Sequence, residues 1–298
     1  VHMLPAALLY FHEVAGSGSI TEAAEALHVS ASAISRQITG LERSTGVELF
    51  RRHPRGMELT EAGTLLLAHT RRTEAESEEL LSELRELASG KQRVLEIVAS
   101  EGLAAYRVPA AIAAFCQEHE DVSVHFSVIP STGATQRIID GVADVAMVFA
   151  LGPRRDVKVE FSCPAPAYAI VASAHPLAGR NRVGLAELCD YRLSLPSKGI
   201  SQRELFDIAA QMEGLTPRIA MTTDHIKPAM EFVRSGAGVT LMSHFAHSEG
   251  VDDGLCFIPI DHPAFGERQA QILTMPGRRQ SALLTAFIQK MSAVLAAG

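Results

Sequence analysis

Over the first sixty residues the apolar positions fall into two bursts at helical spacing. Ala23, Ala24, Ala26 and Leu27 form the first. Ile34, Ile38 and Leu41 form the second, and at about 100° per residue they share one narrow arc. Ser32, Arg36, Thr39 and Arg43 fall on the opposite side. The pattern predicts two helices, each with a core face, separated by a turn at His28 and Val29. Stop and start signals agree with it. Ser19 stands three residues before Glu22, a capping-box spacing. Ser30 is a natural N-cap for a helix over 31–45, which Gly46 can close in the left-handed conformation. Leu49 to Thr60 then reads as two short strands around a turn at Pro54, Arg55 and Gly56. The whole segment has the pattern of a winged helix-turn-helix.

From Glu61 to Ala88 there is no proline, and no glycine after Gly63. Thr60 can cap this helix, which at 1.5 Å per residue would span about 40 Å. Leu65, Leu66, His69, Leu80, Leu81, Leu84 and Leu87 form an interrupted apolar stripe, with Glu74, Glu76, Glu78, Glu79, Arg85 and Glu86 between them. A stripe this long either meets a partner helix or runs as a solvated spacer with its leucines bare. Ser89, Gly90 and Lys91 mark its end.

Beyond Arg93 the pattern changes to alternating strands and helices. Strands are predicted at Val94 to Ala99, Val122 to Val128 and Val142 to Phe149, with helices at Pro109 to Cys116 and Gln136 to Asp140. A second set has strands near Ala167 to Ala172, Leu193 to Leu195, Arg218 to Thr222 and Val239 to Met242. Its helices lie near Arg203 to Met212 and Ile226 to Arg234. Gln269 to Thr274 and Leu283 to Leu295 close the chain. This rhythm predicts α/β lobes with parallel sheets, joined by crossovers near Leu151 to Pro166 and Asp261 to Arg268.

Composition narrows the function classes. A chain of 298 residues that is 47% hydrophobic supports two or three units with real cores. It has no apolar run of membrane length and no secretory leader pattern, so the expectation is a cytoplasmic protein without membrane contact. The formal charge is -7, and residues 1–60 hold five Arg against six Glu. Between Arg36 and Arg55, however, five Arg face only Glu42 and Glu48. Cys116, Cys163, Cys189 and Cys256 have no CxxC spacing and read as reduced core thiols. The twelve His are scattered, and GxSxG, P-loop and HExxH motifs are absent, so neither catalysis, metal nor cofactor is expected.

The local positive charge gives the second helix a possible role. Small hydroxyls approach base edges and phosphates closely, and Arg can bond guanine in bidentate fashion. A wing carrying Arg can reach phosphates or the minor groove. The candidate DNA-binding residues are therefore Ser30, Ser32, Ser35, Arg36, Thr39, Arg43, Arg51, Arg52 and Arg55. Taken alone, the second helix could equally be an ordinary amphipathic surface helix.

The run Phe11, Val14, Gly18, Ser19, Ala23, Ala24, Leu27, Ser30, Ser35, Arg36, Gln37, Ile38, Leu41, Glu42, Gly46, Leu49, Phe50, Arg51, Leu59, Thr60, Ala62 and Gly63 resembles the LysR-type transcriptional regulators. Position 31, often Gln in that family, is Ala here, which removes one base contact. The resemblance implies a DNA-binding domain over 1–60, a dimerising linker helix over 61–90 and an effector domain over 91–298. Within the last, one lobe covers about 91–162 and 267–298 and the other about 163–266, as in periplasmic solute-binding proteins. It implies double-stranded DNA, a small-molecule effector and a homodimer or homotetramer as partners, with RNA polymerase added if the protein is an activator.

The effector cleft implied by the resemblance lies where strand ends meet helix N-termini. Ser100, Ser131, Thr132, Phe149, Pro196, Ser197, Lys198 and Thr223, beside Asp224, fall at such ends. Relatives that sense aromatic carboxylates can carry Arg where this chain has Phe149. Without that cation a carboxylate would rest on hydroxyls, helix N-termini and Lys198, and a neutral ligand stays open. The alternative is a solute-binding protein with an unrelated N-terminal module.

Overall fold

The computed structural model describes residues 3–54, 56–89, 93–152, 154–246 and 254–297, with backbone alone at 79, 82, 83 and 85–89. Two units divide the chain near Arg93. The first begins with α1 (Ala6–Ser17), α2 (Ile20–Ala26) and α3 (Ala31–Thr45), followed by an antiparallel ribbon of β1 (Phe50–His53) and β2 (Gly56–Leu59). Phe11, Val14, Ile34, Ile38 and Leu49 close its core. Each such side chain contributes about 1.5–3 kcal/mol through burial.

The caps explain the boundaries. Ser30 Oγ accepts the Ala33 N–H at 3.2 Å, and Gly46 ends α3 at φ 72°. Ser19 Oγ accepts the Glu22 N–H at 3.3 Å, but the predicted capping box is only half made. The Ser19 N–H goes to Ser17 Oγ at 3.3 Å, which leaves the Glu22 side chain in solvent. The turn between α2 and α3 places His28 at φ 54°, a conformation unusual for a residue with a β-carbon. Gly56 admits the wing against α1: a β-carbon there would come within 2.5 Å of the Gly18 carbonyl oxygen.

Helix α4 (Glu61–Ser89) starts where expected, with Thr60 Oγ1 accepting the Gly63 N–H at 3.0 Å. Its stripe is divided between two environments. Leu67 is buried in the core of the head and Leu66 packs against that core, whereas Leu65, Leu80 and Leu84 are exposed. The side chains of Glu79, Arg85, Glu86 and Leu87, and the residues Gly90 and Lys91, lie outside the described residues.

The second unit opens with β3 (Arg93–Ala99), α5 (Glu101–Ala104), α6 (Arg107–Glu118), β4 (Val122–Val128), α7 (Ser131–Ile139), β5 (Val145–Ala150) and β6 (Lys158–Pro164). It continues through β7 (Ala167–Ala172), α8 (Leu185–Cys189), β8 (Arg192–Leu195), α9 (Ser201–Met212), β9 (Arg218–Thr222), α10 (Ile226–Arg234), β10 (Val239–Ser243) and β11 (Leu255–Pro259). It closes with β12 (Gln269–Thr274) and α11 (Ala282–Ala296). Two five-stranded sheets result, ordered β4-β3-β5-β12-β6 and β11-β7-β10-β8-β9. Each has its own core. Phe115 meets Phe287 edge-on at 5.1 Å in the first, and Phe206, Leu193 and Leu241 fill the second.

The sheets are mixed, not parallel as the rhythm predicted. Strands β3 and β5 run parallel, but β12 is antiparallel to both β5 and β6, and β7 is antiparallel to β10 and β11. The reason lies in the path of the chain: β12 re-enters the first sheet after the whole second lobe and runs against its neighbours. The predicted crossover at Leu151 to Pro166 also holds strand β6, so only 165 and 166 separate the two sheets on the outward pass. The helix predicted to begin at Gln136 begins at Ser131. No helix of the described residues is long and apolar enough to cross a membrane.

Candidate DNA-binding face and effector cleft

Helix α3 presents the polar face that its periodicity predicts. Ser32, Arg36, Thr39 and Arg43 are exposed, and Ser35 is half-buried. Ser30 is already committed as the cap of α3, with Ser32 Oγ 3.1 Å from its hydroxyl. Arg51 and Arg52 are exposed on β1. Being adjacent on one strand, they point to opposite faces of the ribbon, so they do not act from the same side. Arg36, Arg43, Arg51 and Arg52 have no ion-pair partner among the described residues. Arg55 lies outside the described residues.

Glu42 joins this face by a route that charge counting misses. Its carboxylate accepts the backbone N–H groups of Leu49 at 2.9 Å and Phe50 at 3.4 Å. The wing is thereby tied to the last turns of α3. Nothing in the spacing of 42 and 49 marks this contact, because it depends on the chain doubling back after Gly46.

In the second unit the candidate cleft residues form two groups. At one end of the first sheet, Ser100 follows β3, Ser131 and Thr132 begin α7, and Phe149 is near the end of β5. The Phe149 N–H donates to Ser131 Oγ at 3.3 Å, and Thr132 is exposed. At the end of β8 and β9 in the second sheet, the Ser197 N–H donates to Asp224 Oδ1 at 3.1 Å, and the Thr223 N–H donates to the Leu195 carbonyl at 3.1 Å. The Ser197 side chain first, and then this N–H, hold the Asp224 carboxyl below the usual carboxylate range. The Pro196 carbonyl accepts from Arg203 Nη1 at 3.1 Å, while Lys198 is exposed.

The residues that join the two groups were not among the candidates. Phe245, in a 3-10 turn after β10, sits in the core of the first lobe beside Phe149, at 6.4 Å between ring centroids. Glu101 caps α10 across the lobes, its carboxylate accepting the Ile226 N–H at 2.9 Å. Arg268, just before β12, is 2% exposed. Its guanidinium lies 4.1 Å from the centre of the Phe149 ring, donates from Nε to the Ala165 carbonyl at 3.2 Å and from Nη1 to Gln202 Oε1 at 3.1 Å. Burial pulls its pKa down to about 9. His244 is pulled down to about 4, first by burial and then by the charges of Arg107 and Arg268. A buried guanidinium, that of Arg268, thus lies against the ring at position 149. The sequence signal was a lone Arg opening an apolar strand.

No group of His, Cys, Asp and Glu suited to hold a metal ion occurs among the described residues. Of the four free cysteines Cys189 is buried in the core of the second lobe, and Cys163 and Cys256 are half-buried and pack against the cores of the first and second, so the reading as core thiols fits these three better than Cys116. Burial pushes the Cys163 and Cys189 thiols up.

A winged helix-turn-helix head followed by a two-lobed α/β unit defines a transcriptional regulator with a separate effector domain. The family model for the LysR substrate binding domain matches residues 88–296, and that for the bacterial regulatory helix-turn-helix protein, lysR family, matches residues 5–64. The chain belongs to the LysR family and is a DNA-binding transcriptional regulator. It is 32% identical to the HTH-type transcriptional regulator CysB of Burkholderia cenocepacia, over 93% of this chain and 89% of that protein. It is 29% identical to the RuBisCO operon transcriptional regulator of Allochromatium vinosum, over 82% of this chain and 80% of the relative. Among solved structures, the LysR family regulator HinK of Pseudomonas aeruginosa shares the fold with a TM-score of 0.57 at 23% identity, over 97% of each chain. Full-length CbnR complexed with target DNA does so with a TM-score of 0.53 at 21% identity, over 97% of this chain and 98% of that one.

Proposed function

We propose that α3 reads an operator in the major groove with Ser32, Arg36, Thr39 and Arg43, while arginines of the wing bind flanking phosphates. The observation that carries this reading is the exposed face of α3, where guanidinium groups without acidic partners stand among short hydroxyls. DNA-complexed CbnR, similar in fold, supports it. The exposed Leu80 and Leu84 on α4 support a homodimer, which would present two recognition helices to a two-fold site. A small molecule bound at the facing strand ends of the two lobes biases the regulator between arrangements of different DNA affinity. For this it must prefer one arrangement. If the protein activates transcription, RNA polymerase is a further partner.

The deciding experiment is fluorescence anisotropy with the DNA upstream of the chain's own gene against a scrambled duplex, across a salt series. Preference for the upstream duplex, with affinity falling steeply in salt, is expected. Equal affinity for both duplexes would refute the operator reading. The effector reading is tested with Thr132→Val, because Thr132 is exposed whereas Ser131 already serves the Phe149 N–H. The variant should keep ligand-free DNA binding and lose part of the effector response.

A further inference from the structure

The register of the wing decides which side chains can meet across it. Arg51 pairs with Glu58, Arg52 with Met57 and His53 with Gly56. Side chains alternate along a strand, so Arg51, His53 and Glu58 share one face of the ribbon, and Arg52 lies on the other with Phe50. Directly opposite residues have their β-carbons about 4.5–5.5 Å apart, and diagonal ones about 7–8 Å. Glu58 thus stands straight across from Arg51 and diagonally from His53. Gly56 places no side chain opposite His53, so the guanidinium and the imidazole have the same carboxylate within reach.

The carboxylate takes the diagonal partner. Glu58 Oε2 lies 3.2 Å from His53 Nε2, and Arg51 is left with no ion-pair partner among the described residues. All three side chains are exposed. His53 and Glu58 also line an open recess of about 740 Å³ against the corner between α1 and α2, with Ser17, Ser19, Glu22 and Met57. The Met57 N–H donates to the Gly18 carbonyl at 2.7 Å and holds the ribbon there. Both hydroxyls of the recess are engaged locally: Ser17 Oγ donates to the Glu13 carbonyl at 2.9 Å, and Ser19 Oγ accepts the Glu22 N–H at 3.3 Å. Among the described residues, the charged groups that face His53 are therefore Glu58 and Arg51 on the ribbon and Glu22 across the recess.

Between pH 6 and 8 ordinary carboxylates and guanidinium groups keep their charge, whereas an imidazole changes it. We infer that the wing is proton-linked: protonated His53 holds the Glu58 carboxylate and leaves Arg51 to a DNA phosphate, while neutral His53 releases Glu58 to its opposite neighbour Arg51 and masks it. An ion pair this exposed is weak, which suits a contact that one proton has to tip. DNA affinity therefore rises as pH falls from 8 to 6. This rests on the reading above that arginines of the wing bind phosphates.

The test is fluorescence anisotropy of the full chain on the duplex upstream of its own gene, at constant ionic strength, at pH 6 and at pH 8. The parent should bind about 3- to 10-fold more tightly at pH 6, with a salt slope steeper there by about 0.9 for each wing. The remaining histidines are the same in every variant, so a difference from the parent belongs to the wing. His53→Gln should lose most of the ratio between the two pH values. Glu58→Gln should lose it too and bind at pH 8 more tightly than the parent, because Arg51 is then free at both values. Arg51→Gln should lose the ratio together with the affinity gained at pH 6. A parent without the ratio, or a ratio that survives in His53→Gln, would overturn the inference. A ratio lost in His53→Gln but kept in Glu58→Gln would overturn it as well and make the imidazole itself a phosphate contact. Arg51→Gln with the parent's affinity at both pH values would reject the phosphate reading for this face of the wing. An affinity loss in Arg51→Gln beside equal ratios in the parent and His53→Gln would keep that reading and reject the proton link.

Discussion

The Glu101 carboxylate and the Ile226 backbone N–H meet at 2.9 Å, so a residue of the first lobe caps a helix of the second. His225 Nδ1 lies 3.5 Å from the same carboxylate. Capping interactions contribute about 1 kcal/mol. Glu101→Ala should destabilise the chain by roughly that amount and change the size of the effector response, since it loosens one side of the contact between lobes. Urea unfolding paired with operator anisotropy checks both; an unchanged response at reduced stability would confine Glu101 to a local cap.

Glu42 sets charge against geometry. Its removal takes a negative charge off the DNA-facing segment, which by Coulomb attraction alone would strengthen binding. It also releases the Leu49 and Phe50 N–H groups, and hydrogen bonds to a charged acceptor are worth about 1.5–3 kcal/mol. Geometry should win. Glu42→Ala is expected to bind operator DNA more weakly and to unfold at lower temperature, with Glu42→Gln close to the parent. Tighter binding by Glu42→Ala would show that the wing holds its place without this anchor.

Arg36 is exposed opposite the buried Ile34 and Ile38. Arg36→Ala should cost about 1–3 kcal/mol of operator binding if it reads a base, with no loss of stability. Titrations on specific and scrambled duplexes separate the roles. A loss equal on both would make it a phosphate contact, and no loss at all would remove it from the interface.

Leu80 and Leu84 are 44% and 50% exposed on α4. Leu80→Glu with Leu84→Glu should lower the mass seen by light scattering at micromolar concentration, and weaken binding to a two-fold site far more than to a half-site. The double variant retaining the parent's mass would show that this stripe is not a contact between copies.

His244 gives a pH prediction whose sign follows from its depressed pKa. Between the ordinary value of 6.5 and the folded value of about 4, the unfolded chain takes up a proton that the folded ring refuses. Stability from this group is therefore full above pH 6.5 and is lost as pH falls toward 4. Partial solvation of the ring limits the effect to about 1 to 2 kcal/mol. His244→Phe, stacked on Phe245, should flatten that part of the stability profile relative to the parent, as measured by urea midpoints from pH 7.5 to 4.5. Parallel profiles would show that His244 titrates normally.

Local chemistry made the head legible. Ser30 and Gly46 bound α3, Thr60 starts α4, and the arc of Ile34 and Ile38 turns the helix correctly, because caps and helical faces are properties of a few adjacent residues. Strand positions in the lobes were legible for the same reason: Val122–Val128, Ala167–Ala172 and Gln269–Thr274 stand as the pattern placed them. What the pattern could not carry was direction and distance. The orientation of β12 depends on the path taken by the intervening lobe. Strand β6 was hidden in a supposed crossover although Val159, Phe161 and Cys163 alternate with polar residues. Arg268 acquires its surroundings from Gln202 and Phe149, far away in sequence, so a lone Arg before a strand marked the residue but not its buried partners. Ser131 and Ser30 also accept backbone N–H groups, a local role that for Ser30 was legible as the cap of α3 and for Ser131 was not.

The place of β12 also bears on how the protein is made. It lies between β5 and β6, so the interior of the first sheet is completed by residues 269–274, translated after every strand of the second lobe. On the ribosome the second lobe, which is continuous in sequence, can close first. The earlier strands β5 and β6 meanwhile wait with unpaired edges, a state prone to wrong pairing. The half-made lobe that emerges first is thus the one in need of protection during synthesis.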